Sequence, residues 1–292
     1  MGGDAGRIYT LGEIRMNKTW FVAGYSVLAL TACAGIEKPS APAVAGPNIV
    51  NVTTTEYAFD MPDTLPAGPT LFHLTDNGTE LHHMTLVKFK QGKTLADFTA
   101  LPPGAPPPSW AVFMGGPNTP PPNGGQDEAA VDLAPGNYAV ICVIPGPDGK
   151  PHFMHGMVKA LTVTAATAPR TMPASDMTLS LTNYAFTFSA PPTMGSHVIR
   201  IVNNGTQPHE AVLFRMESGR IGKDVAMWVS TGMQGPPPGV PVAGVSLMAP
   251  GQENTLPVTL TPGAYALLCF APDAGDGKPH ALHGMIHDFK VM

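Results

Sequence analysis

Charge is scarce in this chain. Only 13% of its 292 residues are Asp, Glu, Lys or Arg, and 16 basic against 21 acidic side chains leave a net charge of −5. No basic tract marks a nucleic-acid footprint, and so weak a negative balance selects no class of partner. Cysteine is scarcer still. There are three, Cys33, Cys142 and Cys269, too few for a disulfide-knit scaffold. A bond between Cys142 and Cys269 would have to join equivalent core strands, for which disulfide geometry is ill suited. Helical periodicity is nearly absent. No glycine-rich phosphate loop follows a strand and opens a helix, and no Ser/His/Asp set presents itself. The apolar run Trp20–Ala32 is too short for an ordinary membrane-spanning helix, and no later run is longer.

Glycine and proline are abundant, at 32 and 33 residues. Among Val, Thr and Leu runs they punctuate strands with ordered turns. Alternating apolar residues place strands at 49–59, 70–74, 82–89, 129–133, 138–144 and 158–163. A second series follows at 177–188, 197–202, 209–216, 256–260, 265–270 and 285–291. Short helical turns fit 92–98 and 222–229, each ahead of a proline-rich excursion, at 102–108 and 236–241.

The two series belong to a duplicated segment. Thr55-Glu56-Tyr57-Ala58-Phe59 matches Thr182-Asn183-Tyr184-Ala185-Phe186, and Asn77-Gly78-Thr79 matches Asn204-Gly205-Thr206. Pro135-Gly136-Asn137-Tyr138-Ala139 matches Pro262-Gly263-Ala264-Tyr265-Ala266, and Gly149-Lys150-Pro151-His152 matches Gly277-Lys278-Pro279-His280. A period this long is duplication of a whole domain, not a solenoid repeat of roughly 20–50 residues.

Within the repeat sits a pattern of metal-binding side chains. A lone His begins a strand, a Cys ends another, and a His and a Met follow on the next loop. The first copy is His82, Cys142, His152 and Met157; the second is His209, Cys269, His280 and Met285, at offsets of 127, 127, 128 and 128 residues. Two imidazoles and a thiolate form a trigonal donor set, with a thioether as a long axial ligand. Such a set suits mononuclear copper cycling between Cu(I) and Cu(II), although zinc takes the same donors. One copper per copy, two per chain, is expected. His155 and His283 are also duplicated and stand as alternative ligands. His83, matched by Glu210, is placed at the surface or behind the ligands, and the scattered methionines Met84, Met114 and Met154 are read as core filler.

These residues resemble the cupredoxins of the plastocyanin and azurin type, the blue copper proteins. Asn204-Gly205-Thr206-Gln207-Pro208-His209 matches that family's first-ligand context closely; Asn77-Gly78-Thr79-Glu80-Leu81-His82 has Leu81 in place of the proline. The Tyr-x-x-x-Cys segment and the His-x4-Met spacing are kept in both copies. The resemblance implies an all-β fold of two tandem cupredoxin-like Greek-key β sandwiches. It also implies type 1-like copper and single-electron transport, with His152 and His280 as the electron exits. One departure stands out. Nine residues separate Cys142 from His152 and ten separate Cys269 from His280, where plastocyanin-like domains have only a few. Two-domain copper nitrite reductases and multicopper oxidases share the layout. The His-x-His pairs and the His-Cys-His element of the oxidases are missing, so no enzyme and no catalytic residue is expected.

The N-terminus completes the expected organisation. Residues 1–15 read as a non-native extension before Met16, and 16–32 as a signal peptide. Leu30-Thr31-Ala32-Cys33 resembles a bacterial lipobox, which makes Cys33 a lipidation site. Residues 33–47 form a tether, 48–165 the first domain, 166–175 a linker and 176–292 the second domain. The chain is then an exported protein, lipid-anchored to a bacterial membrane and facing the periplasm or cell exterior. There it would carry single electrons between extracytoplasmic donor and acceptor proteins, with no nucleic acid and no small organic substrate. Copper buffering or delivery, or a metal-free structural or binding module, are the other functions the same pattern would serve.

Overall fold

The structure is a computed structural model that describes residues 44–102 and 107–292. The residues expected to form the N-terminal extension, the signal peptide, the lipidation site Cys33 and most of the tether, with part of the first proline-rich excursion, lie outside the described residues. Among those described, no helix is long and apolar enough to cross a membrane.

The fold is all-β, as expected, and its strands gather into two sheets that each run through both repeats. The first sheet orders Ala185–Phe188, Met177–Thr182, Gly195–Asn203, Glu253–Leu260, Gly125–Leu133, Gly68–Asp76, Asn48–Thr55 and Ala58–Asp60. The second orders Ile286–Val291, Gly263–Leu268, His209–Met216, Gly239–Met248, Ala111–Gly115, Thr85–Phe89, Gly136–Ile141, Val158–Thr164 and Thr64–Pro66. At the centre of each sheet, corresponding strands of the two repeats meet antiparallel, through Thr255↔Ala130 and Met248↔Met114. Antiparallel pairing of like with like is what an approximate two-fold relation produces. It also covers strand edges that would otherwise present unpaired backbone groups.

Alternation along the strands separates inside from outside. In Gly68–Asp76, Thr70, Phe72 and Leu74 are buried while Leu71 and His73 between them are partly exposed. Full burial of such side chains stabilises by about 1.5–3 kcal/mol each. One apolar cluster belongs to the first repeat and contains Cys142 and Met157. Another draws on both, joining Val87, Phe113 and Ile141 to Leu213, Val245 and Cys269. Residues 43–292 accordingly form one compact unit. The Pro-Gly-x-Tyr segments tie each repeat at one corner: Tyr138 Oη donates to the Ala134 carbonyl at 2.7 Å and Tyr265 Oη to that of Thr261 at 2.9 Å.

Two expected strands are hairpins instead. The run 49–59 turns back at Glu56-Tyr57, so that Thr55 pairs with Ala58, and 177–188 turns back at Asn183-Tyr184, so that Thr182 pairs with Ala185. Three strands went unforeseen, Thr64–Pro66, Ala111–Gly115 and Gly239–Met248. The last two lie beside the proline-rich segments, and both build the central joint. The helices Leu95–Thr99 and Gly222–Ser230 fall where expected.

Candidate metal centres

Each centre is assembled from a loop, a strand end and a 3-10 turn. The loop comes first. Asp76, buried at the end of its strand, accepts the Gly78 N–H at 3.0 Å and the His82 N–H at 3.1 Å. Asn203 takes the same place in the second repeat, accepting the Gly205 N–H at 2.9 Å and donating to the Gln207 carbonyl at 2.9 Å. Each brace fixes the loop that delivers His82 or His209. Cys142 and Cys269 follow the strands Gly136–Ile141 and Gly263–Leu268 directly and are buried free thiols.

The long Cys-to-His inserts close on themselves. Pro145 pairs with Pro151, and the Gly146 N–H donates to the Lys150 carbonyl at 2.9 Å. Pro272 pairs with Pro279, and the Asp273 N–H donates to the Lys278 carbonyl at 2.8 Å. The histidines therefore return to the strand they left: His152 N–H reaches the Ile144 carbonyl at 2.9 Å and His280 N–H that of Ala271 at 3.0 Å. The turns His152–His155 and His280–His283 follow. Met157 and Met285, both buried, donate their N–H to the His152 and His280 carbonyls at 3.0 Å and accept from the Cys142 and Cys269 N–H.

His82, Cys142 and His152 come together with their donor atoms within 4.8 Å of one another, and so do His209, Cys269 and His280. In the first centre His82 Nδ1 lies 3.1 Å from His152 Nδ1, which lies 3.5 Å from Cys142 Sγ. In the second, the two Nδ1 atoms are 3.0 Å apart, and Cys269 Sγ is 3.8 Å from His209 Nδ1 and 3.4 Å from His280 Nδ1. The four methionine and cysteine positions sit in the apolar core, and all four histidines are wholly buried. His155 and His283 are not brought in. Each turns outward, its Nε2 3.0 Å from Asp148 Oδ1 or Asp276 Oδ1.

The electrostatics favour neutral imidazoles. Burial and the neighbouring His82 push His152 down, burial and His280 push His209 down to about 4, and burial lowers His280. Burial also pushes the Cys142 thiol up to about 12 and raises Cys269 further. Without a metal the thiols keep their protons, which a bound cation would have to displace, and the three donors of each set face one point. A cation shared by imidazole and thiolate at about 2.0–2.3 Å per bond fits separations of this size. Soft sulfur with imidazole suits copper. The outward Nε2 atoms of His82, His152 and His280 make no well-aligned hydrogen bond among the described residues. Carboxylates nonetheless lie near them: Glu80 Oε2 is 3.0 Å from His152 Nε2, off the line a hydrogen bond needs, and Glu56 Oε1 is 3.7 Å from His82 Nε2. Glu56 is partly desolvated, but the Glu80 and Thr79 amides hold it down at about 2.

Several residues around the centres carried no warning as site residues. Tyr57 lies 4.9 Å from the His152 ring, and Tyr184 5.4 Å from that of His280. Glu56 and Asn183, and Glu80 and Gln207, occupy matching places, so the second repeat puts amides where the first has carboxylates. Asn183 Oδ1 is 3.2 Å from His209 Nε2. The Thr-x-Tyr-Ala-Phe repeat held the signal, since both tyrosine turns overlie a histidine. Of the two places expected for His83, it takes the one behind the ligands: it is buried, and its Nε2 accepts the Val143 N–H at 2.9 Å. Met154, read as core filler, is 46% exposed.

No family model and no curated protein matches the chain. Solved structures do. Auracyanin A, a "blue" copper protein from the green thermophilic photosynthetic bacterium Chloroflexus aurantiacus, is 23% identical over 41% of this chain and 100% of its own, with a TM-score of 0.29. A multicopper oxidase is 12% identical over 84% of this chain and 88% of its own, with a TM-score of 0.26. The Cu-containing nitrite reductase of Thermus scotoductus is 12% identical over 84% of this chain and 61% of its own, with a TM-score of 0.23. An oxidase and a reductase among these similar structures overturn the expectation that the chain is no enzyme, and that expectation is withdrawn.

Proposed function

We propose that this chain is a copper-binding redox protein of two tandem cupredoxin-like Greek-key domains, residues 48–165 and 176–292, with one type 1-like ion in each. The observation that carries the proposal is the duplicated convergence of His82, Cys142 and His152 and of His209, Cys269 and His280. Met157 and Met285, buried behind the same turns, would complete the sets with a thioether each. Bound copper would supply one-electron exchange between Cu(I) and Cu(II). The chain's own residues do the rest. Asp76 and Asn203 fix the first histidines, the self-closed inserts return the second, and the apolar core keeps water from the sulfur.

Complete burial of all six inner donors favours retaining an ion over exchanging it, and so electron transport over buffering. Electrons would pass to and from extracytoplasmic donor and acceptor proteins by way of His152 and His280, beneath Tyr57 and Tyr184. Export, lipid attachment at Cys33 and a tether over 33–47 would hold the chain at a bacterial membrane.

Metal analysis and a visible spectrum after copper loading and oxidation test the proposal. About two coppers per chain with an intense thiolate-to-copper band near ~600 nm is the expected result. Zinc with no band, or no metal at all, would refute it.

A further inference from the structure

Three acids of the first repeat are amides in the second, all at one offset. Glu56, Asp76 and Glu80 become Asn183, Asn203 and Gln207, each 127 residues further on. All three surround the loop that delivers the first histidine, and two of them brace it in both copies. Glu56 Oε1 accepts the Thr79 N–H, the Thr79 hydroxyl at 3.0 Å and the Glu80 N–H at 3.0 Å. Asn183 accepts the Thr206 N–H at 2.9 Å and donates to Thr206 Oγ1 at 2.7 Å. Asp76 and Asn203 accept the Gly78 and Gly205 N–H at 3.0 and 2.9 Å. An amide thus holds the loop as a carboxylate does. What the acid adds is charge.

In the first centre that charge lies at the ligand edge. The Nδ1 atoms of His82 and His152 face each other and, from His152, the Cys142 sulfur. Their Nε2 atoms, on the other side of each ring, are buried and make no well-aligned hydrogen bond among the described residues. Glu56 Oε1 stands 3.7 Å from His82 Nε2, and Glu80 Oε2 3.0 Å from His152 Nε2. In the second centre His209 Nε2 meets the neutral Asn183 Oδ1 at 3.2 Å. Gln207 is engaged elsewhere, accepting the Ala274 N–H at 2.7 Å and donating to Asp273 Oδ2 at 3.0 Å. Two acids remain there: Asp273, whose Oδ2 is 3.7 Å from His280 Nε2, and buried Glu210, which accepts the Phe270 N–H at 2.9 Å. A carboxylate behind a ligating imidazole makes it a stronger donor. Its charge also favours the more positive of two metal states, and Cu(II) carries one positive charge more than Cu(I).

We propose that Glu56 and Glu80 set the reduction potential of the first centre, holding it below the value that amides in the same places would give. This charge, absent beside His209, distinguishes the two copies as redox sites. The inference rests on the copper-binding reading above. One-electron exchange breaks no bond of either glutamate; both act by fixed charge.

The test uses shape-conserving exchanges at pH 7 in two single-centre backgrounds of the full chain. Glu56→Gln with Glu80→Gln is made in Cys269→Ser, and Asn183→Asp in Cys142→Ser. Each is followed by redox titration of the thiolate-to-copper band. The glutamine pair is expected to favour Cu(I) by at least about tenfold, a rise of about 59 mV for a one-electron couple. Asn183→Asp is expected to lower the second potential. Affinity for Cu(II) should fall in the glutamine pair about tenfold more than affinity for Cu(I). A merely structural loss would weaken both ions alike and leave the potential in place. A first potential that falls or stays within a twofold change of the equilibrium constant overturns the proposal, as does a rise at the second centre with Asn183→Asp. If the pair does not fold, Glu80→Gln alone and Asn183→Asp decide by the same signs. Failure of both backgrounds to take up copper refutes the metal reading and this inference with it. Copper bound at an unmoved potential refutes the inference alone.

Discussion

At Gly205 there is no room for a methyl group. A Cβ built there would lie 2.5 Å from His209 Nε2 and 2.7 Å from Asn183 Oδ1; at Gly78 it would lie 2.6 Å from His82 Nε2. Real carbon atoms do not approach so closely, so the imidazole would have to move. Gly205→Ala is therefore expected to weaken copper at the second centre by at least about tenfold, since misplacement of a ligand by about 1 Å is enough to spoil a site. The first centre should be unchanged. Copper titration of this variant checks it, and two undisturbed ions would remove His209 from the ligand set. The Asn-Gly pairs were legible because they repeat, as were the six His and Cys residues that the structure brings together. Asn118, in the first repeat, whose Nδ2 donates to the Val245 carbonyl of the second at 3.0 Å, was not, and the reason is physical. It serves the joint between the copies and lies outside every motif that recurs. A side chain whose work is to span two repeats leaves no duplicated trace.

The inserts between Cys and His show how an element can lengthen without displacing the histidine beyond it. Residues 145–151 leave the strand end and pair with themselves, while the bonds that place His152 lie outside them. His152 N–H reaches Ile144, the Phe153 N–H reaches the Cys142 carbonyl at 2.9 Å, and the Met157 N–H reaches the His152 carbonyl. Deleting Pro147, Asp148 and Gly149 would leave a two-residue connection, a length hairpins accept. Copper affinity at the first centre is then expected to stay within about threefold, because a shorter loop changes closure entropy only slightly. A loss beyond about tenfold, read from competition with a chelator, would mean that the tip itself positions His152. Other elements were harder to read. Glu56-Tyr57 and Asn183-Tyr184 interrupt runs of β-prone residues with no Gly or Pro, so nothing local announced the turns. The strands Ala111–Gly115 and Gly239–Met248 stand among prolines that resemble loop. Prolines tolerate strands where the ladder does not need their N–H, and tertiary pairing decides the matter there.

For the whole molecule, the joint is where the duplicated halves become one body, and much of it is polar. Gly116 N–H donates to Asn254 Oδ1 at 2.9 Å, Ser246 Oγ donates to the Met84 carbonyl at 2.8 Å, and Asn118 donates its N–H to buried Asp127 Oδ2 at 2.9 Å and its Nδ2 to the Val245 carbonyl of the second repeat at 3.0 Å. Buried polar groups are tolerable only when each is bonded, so such a joint is exacting about the partner it admits. Gly116, at φ +127°, must be glycine, because a Cβ would meet the Met84 carbonyl oxygen at 2.5 Å. Asp127 also makes the joint sensitive to pH. Burial pushes its carboxyl up to about 7 against an ordinary 3.8, with the bonds from Glu128, Asn118 and Gly244 opposing. The folded state thus binds this proton more tightly than the unfolded chain does. That contribution is complete below about pH 4, declines as pH rises through the interval to about 7, and is gone above it. Asp127→Asn lacks the titration, while the histidines and other groups titrate alike in both proteins. Relative to the parent, the metal-free variant should therefore gain in melting temperature between pH 4.5 and 7.5, by more than about 3 °C for a chain of this size. A difference that stays flat across this range in calorimetric scans would mean that Asp127 is ionised in the fold, and that the joint holds a charge rather than a proton.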